Sequence, residues 1–381
     1  MMPAYLDCNA TTPVEKDVAR EVQRFLVEEF GNPASPVHMY GTIARMAVEK
    51  ARRDVAAVVA AQADDVIFTS GATESNNLAL RGIAEAGLKS GCTHVICSAI
   101  EHKAVLEPVE SLKKQGFEVT ILPVLGSGIV SVAALTEALR PETLCVSIMH
   151  VNNETGVVQP LDEVADALAD HPAWLHVDAA QGFGKELELL RLQRVDLISI
   201  SAHKIFGPKG VGALIRRRRG EEYPPLTPLM LGGGQEQGLR PGTLAAHSIV
   251  GLGAAARIAL RDLQARREAC LAFKKEMLAA LVPLGAVVHG DPQRTLPHTV
   301  NLSLPGVEAH LALSSLKNLL AFSNGSACTA HTQEPSHVLQ AMGVQGSLLD
   351  EAIRLSWCHL TDQVDWSQVC SVIRQLQGGS R

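Results

Sequence analysis

Lys204 ends the run Ser201-Ala202-His203-Lys204, directly after the apolar stretch Leu197–Ser201, and a lysine at such a strand end is suited to chemistry. Lysine is rarely buried without a partner, and an amine whose charge is disfavoured by its surroundings is the nucleophile that forms imines with carbonyl compounds. Lys209, in Phe206-Gly207-Pro208-Lys209-Gly210, reads as its solvent-facing counterpart. A second apolar run delivers a carboxylate, Asp178, in His176-Val177-Asp178-Ala179-Ala180-Gln181. A carboxylate issuing from a buried strand needs a cation or hydrogen bonds, and a protonated pyridine nitrogen or a structural arginine would each serve. A third run, Val66–Ser70, leads into Gly71-Ala72-Thr73-Glu74-Ser75 and a helical stretch. Small residues at a strand-to-helix turn let backbone N–H groups approach an anion such as phosphate, although Thr73 and Ser75 are equally good helix caps.

An amine, an acid and a phosphate turn, each after a different apolar strand, are the three contacts that pyridoxal phosphate requires. His102, after the run His94–Ala99, adds an aromatic ring that would stack on such a cofactor or simply cap the following helix. Of the eight cysteines, at positions 8, 92, 97, 145, 270, 328, 358 and 370, only Cys328 lies among small and polar neighbours, Ser323-Asn324-Gly325-Ser326-Ala327-Cys328-Thr329-Ala330-His331. That composition predicts an exposed loop in which a thiol can be reached and can move. The other seven read as small buried hydrophobes, and no CxxC pair or zinc-type spacing occurs, so no metal site is expected.

The elements that must position these groups follow from periodicity. Strand-like runs at Val66–Ser70, His94–Ala99, Val119–Val124, Cys145–Val151, Leu175–Ala179, Leu197–Ser201 and Val211–Ile215 alternate with helix-like stretches such as Thr42–Ala61, Lys103–Gln115 and Leu161–Ala169. Several runs are continuously apolar, which predicts a mostly parallel seven-stranded α/β sheet buried on both faces. After about residue 250 a long Ala-rich helix, Ala255 to Leu281, leads to fewer strands, Val287–His289, Thr299–Leu304 and Ile353–Ser356. This predicts a large α/β domain over residues 15–254 and a smaller α+β domain made of residues 1–14 and 255–381, which carries the cysteine loop at about 322–335. In open α/β sheets ligands sit beyond the carboxyl ends of the strands, where Lys204, Asp178 and Ala72 fall.

With 46% hydrophobic and 19% charged residues the 381-residue chain has the balance of a globular protein. Its formal net charge of −6 gives no reason to expect direct nucleic-acid or membrane binding. Neither a long apolar span nor a basic signal-peptide start is present, so a cytoplasmic location is expected. One basic run, Arg216 to Arg219, reads as a solvated strand-end turn or as a patch facing phosphate or an acidic partner.

The ordered motifs carry a resemblance. Tyr5-Leu6-Asp7 with Ala10-Thr11-Thr12-Pro13, Phe30-Gly31-Asn32-Pro33-Ala34-Ser35, Ser70-Gly71-Ala72-Thr73-Glu74-Ser75, His150-Val151-Asn152-Asn153-Glu154-Thr155-Gly156, His176 to Gln181, Ser201 to Lys204, Arg240-Pro241-Gly242-Thr243 and Gly325-Ser326-Ala327-Cys328 span nearly the whole chain. In this order they resemble the NifS/IscS-type cysteine desulfurases, which are fold-type I pyridoxal-phosphate transferases of the class V aminotransferase group. The resemblance implies that Lys204 holds the cofactor covalently, Asp178 faces its ring nitrogen, His102 stacks on the ring and Gln181 contacts the ring hydroxyl. It implies that Ala72, Thr73, Ser201 and His203 bind the phosphate, and that Thr243 reaches the cofactor of the partner subunit in a homodimer. Asn153 would contact the cofactor and, with Arg354, would hold the carboxylate of L-cysteine, Arg354 through bidentate guanidinium geometry. Cys328 would take the sulfur as a persulfide, with His102 as an acid or base for the thiol proton, and a sulfur-acceptor protein would receive it.

Two departures stand out. Asn324 replaces a serine before the cysteine motif, and Trp357-Cys358-His359 replaces the family's usual Gly and basic residue after Arg354-Leu355-Ser356, which is expected either to reshape the wall beside Arg354 or, for His359, to be packing. Rival readings are selenocysteine lyase or another class V aminotransferase-type activity on the same scaffold, or a non-catalytic sulfur carrier.

Overall fold

Strand register explains how the seven runs come together. The computed structural model describes residues 2–324 and 335–378. The strands, in chain order, are β1 (Ala4–Tyr5), β2 (Val66–Thr69), β3 (His94–Ser98), β4 (Glu118–Leu122), β5 (Thr143–Ser147), β6 (Trp174–Asp178), β7 (Leu197–Ser201), β8 (Gly212–Arg216), β9 (Val287–His289), β10 (Thr299–Ser303), β11 (Leu320–Ala321) and β12 (Ala352–Ser356). The central sheet has the order β2-β8-β7-β6-β5-β3-β4. β3 to β7 pair in parallel, while β8 is antiparallel to both β7 and β2. Hence β2 runs the same way as β3 to β7, and the carboxyl ends of all six strands lie on one edge.

β2, β3, β5 and β7 are buried along their whole length, as expected for strands covered by helices on both faces. Buried polar side chains within the sheet pair across strands: His176 bonds Ser147 on one neighbour at 2.8 Å and Ser199 on the other at 3.0 Å. Burial pushes the His176 imidazole down to about 4, so it is a neutral strand-to-strand link.

The long helix begins earlier than its composition suggests, at Ala246, and runs to Leu281. Its first half, with Ile249, Leu252 and Ile258, packs into the core of the central sheet, and its second half, with Cys270, Met277 and Leu281, packs into a separate core with β10 and β12. A β-carbon at Gly253 would lie 2.5 Å from Ala51, so glycine is what lets this helix press against the helix Met39–Val58. The second core is covered by the antiparallel sheet β12-β10-β9, and β1 joins it by pairing in parallel with β11.

The basic run is solvated at Arg218 but otherwise tied into the fold. Arg217 is buried and donates to the carbonyls of Leu190 at 2.8 Å and Leu192 at 2.9 Å, Arg219 pairs with Asp196 at 2.6 Å, and Arg216 and Arg218 flank the ring of Tyr223. The guanidinium groups satisfy loop carbonyls that the helices and strands leave over. Among the described residues no helix is long and apolar enough to cross a membrane.

Candidate active site

Because six strands end on one edge, the residues that follow them converge there. A cavity of about 1160 Å³ opens at this edge and is lined by Ala72, Thr73, His102, Asn153, Asp178, Gln181, Ser201, His203, Lys204 and Arg354. Thr243 is exposed and does not line it, and Cys328 lies outside the described residues.

The turn after β2 depends on Gly71, whose φ of +155° and ψ of 179° belong to a region reserved for glycine, and which starts the helix Ala72–Gly82. Ser70, Gly71, Ala72 and Thr73 all face the cavity, so the first N–H groups of an eleven-residue helix open on it. Asp178, at the end of β6, is buried and accepts from Asn76 Nδ2 at 2.7 Å and from the N–H of Ala180 at 2.9 Å. Among the described residues no lysine or arginine pairs with it, which excludes the structural-arginine reading.

Lys204 follows β7 and donates to the carbonyl of Ala10 at 2.8 Å and to that of Asn9. Asn9 also accepts from Gln181 Nε2 at 2.9 Å, leaving Gln181 Oε1 buried without a partner. His203 meets Thr11 Oγ1 at 3.1 Å, and burial, with Lys204, Lys209 and Lys185 nearby, pushes its imidazole down to about 4, so it acts as a neutral hydrogen-bonding ring. Lys209 is exposed at the mouth of the cavity. His102 combines the two roles weighed for it: its Nδ1 accepts from the N–H of Ala104 at 3.1 Å, capping the helix Lys103–Lys113, and it lines the cavity.

Arg354, from β12, is buried, and its Nη2 donates to Asp7 Oδ1 at 2.7 Å while Nη1 donates to the carbonyl of Asn153 at 3.1 Å. Trp357 and His359 do not form the wall beside it. Trp357 is fully buried in the second core, donating to the Cys270 carbonyl at 3.0 Å and packing on Phe273, while His359 bonds Glu15 at 3.0 Å and stands edge-on to Phe206. Strand alternation sends Arg354 to one face and Leu355 to the other, and Trp357 follows Leu355 into that core.

The chain on either side of residues 325–334 is fixed at this cavity. Ser323 pairs with Arg354, whose N–H donates to the Ser323 carbonyl at 2.7 Å, and Pro335 and Ser336 line the cavity. Ser336 caps the helix His337–Ala341 and donates to Glu154 Oε2 at 2.5 Å. Burial raises the Glu154 carboxyl to about 7, opposed by the Ser336 bond and by Arg354 and His102.

Sequence reasoning missed the N-terminal segment as a partner of the amine and the guanidinium. Asp7, Asn9 and Ala10 hold Lys204, Gln181 and Arg354 mainly through backbone carbonyls, which leave no side-chain signal. Asn76, one turn into the phosphate-type helix, was the available clue to the support of Asp178.

The class-V aminotransferase family model matches residues 4–369. The chain belongs to that family. Among curated relatives it is 43% identical to cysteine desulfurase IscS of Vibrio cholerae serotype O1 (strain ATCC 39541) over 376 residues, covering 98% of this chain and 92% of that protein. Among solved structures it superposes on a NifS-like protein with a TM-score of 0.89 at 35% identity, covering 99% of both chains. It superposes on DndA from Streptomyces lividans with a TM-score of 0.82 at 48% identity, covering 93% of this chain and 99% of that one. The mostly parallel seven-stranded sheet expected from the strand pattern is therefore, in this class-V member, the pyridoxal-phosphate transferase fold that the resemblance implied.

Proposed function

We propose that the protein is a pyridoxal-phosphate-dependent cysteine desulfurase that converts L-cysteine to L-alanine and leaves the sulfur on Cys328 as a persulfide. The observation that carries this reading is the shared cavity: the Lys204 amine, the Asp178 carboxylate, the start of the helix Ala72–Gly82 and the Arg354 guanidinium all open on it. The residues fit the cofactor. Among the described residues Asp178 is a buried carboxylate held by neutral donors, and Gln181 Oε1 is a buried acceptor that a ring hydroxyl would satisfy.

Lys204 would hold the cofactor, Asp178 its ring nitrogen, Gln181 its hydroxyl and His102 a ring face. Ala72, Thr73, Ser201 and His203 would hold its phosphate. When bound, pyridoxal phosphate supplies an electron sink for charge developing at the substrate Cα. Arg354 and Asn153 fix the carboxylate of L-cysteine, Lys204 moves the proton at Cα, and His102 exchanges a proton with a thiol. The Cys328 thiol takes the substrate sulfur, so that one L-cysteine and one thiol give L-alanine and one persulfide.

A homodimer is part of this reading. Phe30, Val37, Met39, Tyr40 and Met46 are exposed, with Phe30 and Tyr40 stacked, and exposed apolar side chains of this kind favour self-association; Thr243, also exposed, would serve the partner's site. The persulfide would pass to an acceptor protein in iron–sulfur assembly, tRNA thiolation or DNA phosphorothioation, in the cytoplasm. Incubating cofactor-loaded Cys328→Ser protein with L-cysteine should preserve the visible absorption band but release no sulfide. Normal turnover by that variant would remove Cys328 from the reaction, and efficient selenide release from selenocysteine by it would favour a lyase.

A further inference from the structure

The segment Asp7–Thr12 also lines a second cavity, of about 50 Å³, whose other walls include Cys358, Cys270, Lys185, Arg266 and His298. Cys8 and Cys358 pack together on Phe206, close enough for each thiol to shift the ionisation of the other. Their backbones are already joined: the Cys8 N–H donates to the Ser356 carbonyl at 3.0 Å, the Ser356 N–H donates to the Leu6 carbonyl at 2.8 Å, and Asp7 bridges Ser356 in parallel. Thr361 Oγ1 donates to the Cys358 sulfur at 3.8 Å. Two sulfurs in contact, on chain segments held in register, can be bonded without moving the backbone far.

The surroundings favour one thiolate. Cys358 is pulled down to about 7, first by the neighbouring Cys8 thiol and then, against burial, by the Leu360 N–H, Thr361 and Lys185. Cys8 is pushed up, as the member of the pair that keeps its proton. Lys185, lowered to about 8 by burial, lies 3.3 Å from His298 Nε2, and burial holds His298 neutral. Arg266 stacks on Phe206 and pairs with Glu15, which also binds His359, so these charges are engaged beside the sulfurs. By contrast Cys97 and Cys145 are buried within the central sheet, and burial pushes both thiols up, Cys145 to about 12.

We propose that Cys8 and Cys358 form a peroxide-oxidisable dithiol whose disulfide tethers the segment Asp7–Ala10 to β12. The Cys358 thiolate attacks one oxygen of hydrogen peroxide, breaking the O–O bond and giving a sulfenic acid and water. The Cys8 sulfur then displaces the sulfenic oxygen as a second water, so two thiols and one peroxide yield one disulfide and two waters. The cavity has room for a molecule of that size. The tether falls on the segment whose Asp7 holds Arg354 and whose Asn9 and Ala10 carbonyls hold Lys204.

The test is peroxide treatment of the full-length protein, alkylation of the remaining thiols and peptide mapping without reduction. The expected product is a Cys8–Cys358 peptide pair two hydrogens lighter than its parts, formed at least ~100-fold faster than any oxidation of Cys97 or Cys145. Its initial rate should rise about tenfold from pH 6 to pH 8 as the Cys358 thiolate is populated. In Cys8→Ser protein the pair is lost and dimedone should trap Cys358 as the sulfenic acid. Backbone amide exchange over residues 6–12 should slow at least about fivefold in the oxidised protein. Cys358 still open to alkylation when Cys328 is fully oxidised, or bonded instead to Cys270, would overturn the site. Unchanged exchange in protein shown to carry the bond would overturn the tether.

Discussion

Two cavities share one N-terminal segment, and they are built from different parts of the fold. The larger is assembled from strand ends and a helix start, so its walls present N–H groups, carbonyls and charged tips to a space large enough for a cofactor and a substrate. The smaller is closed by side chains of the second core and the long helix, with three cysteine sulfurs and a buried lysine around a space of about 50 Å³. The difference teaches that strand ends gather polar groups by topology, whereas a packed interior acquires reactivity only through a particular pair of neighbours. Asn9 and Ala10 line the first space, Asp7 holds Arg354 at its wall, and Cys8 lines the second, because the chain turns here, with the Ala10 N–H donating to the Asp7 carbonyl at 2.9 Å.

Lys204→Ala should separate the two most sharply. Desulfurase turnover is expected to fall by at least ~1000-fold and the visible cofactor band to vanish, while alkylation of Cys358 stays as in the parent protein. A band that survives on another borohydride-reducible lysine would relocate the amine. Arg354→Lys is expected to raise KM for L-cysteine by ~10–100-fold with a smaller change in kcat, since an ammonium cannot reproduce two-pronged carboxylate binding. An unchanged KM would take Arg354 out of substrate binding and leave it as the anchor of Asp7.

Smaller effects probe the supports. Glu101 is fully buried, accepts from Ser98 at 2.6 Å and from the Met149 N–H at 2.8 Å, and is raised from 4.5 to about 8, chiefly by burial. An acid raised in the folded state favours folding fully at pH below its unfolded value, and that contribution is lost as pH climbs from 4.5 to about 8. Glu101→Gln should therefore flatten the fall of Tm across this window, and a parallel Tm profile in the variant would refute the assignment. Glu154→Gln should act in the same direction between 4.5 and about 7, with a weaker effect because the bond from Ser336 and the charge of Arg354 offset burial. Identical pH profiles of Tm for that variant and its parent would show that folding does not raise the Glu154 carboxyl.

Much of the first cavity was legible in the chain. Apolar runs of strand length marked β2, β3, β6 and β7, and residues at or just beyond their ends, Ala72 to Thr73, His102, Asp178 and Lys204, are among those that line the space. Such residues can be read because the rule linking strand ends to ligands is local in sequence. The second cavity was illegible. Cys8 and Cys358 each sit among neighbours that suggest inert burial, and the polar character of the site comes from Lys185, His298 and Arg266, brought in from distant positions.

The order of apolar runs, glycine turns and polar strand ends determined the α/β sheet and brought Lys204, Asp178 and the turn at Gly71 to its carboxyl edge, because backbone periodicity and burial are set residue by residue. Tertiary structure alone decided which carbonyls hold Lys204, that Arg217 is buried rather than solvated, that Trp357 faces a core rather than the site, and that Cys8 meets Cys358. These depend on contacts between residues up to 350 positions apart, such as Cys8 and Cys358, and no local pattern encodes which distant partner the packed chain will supply.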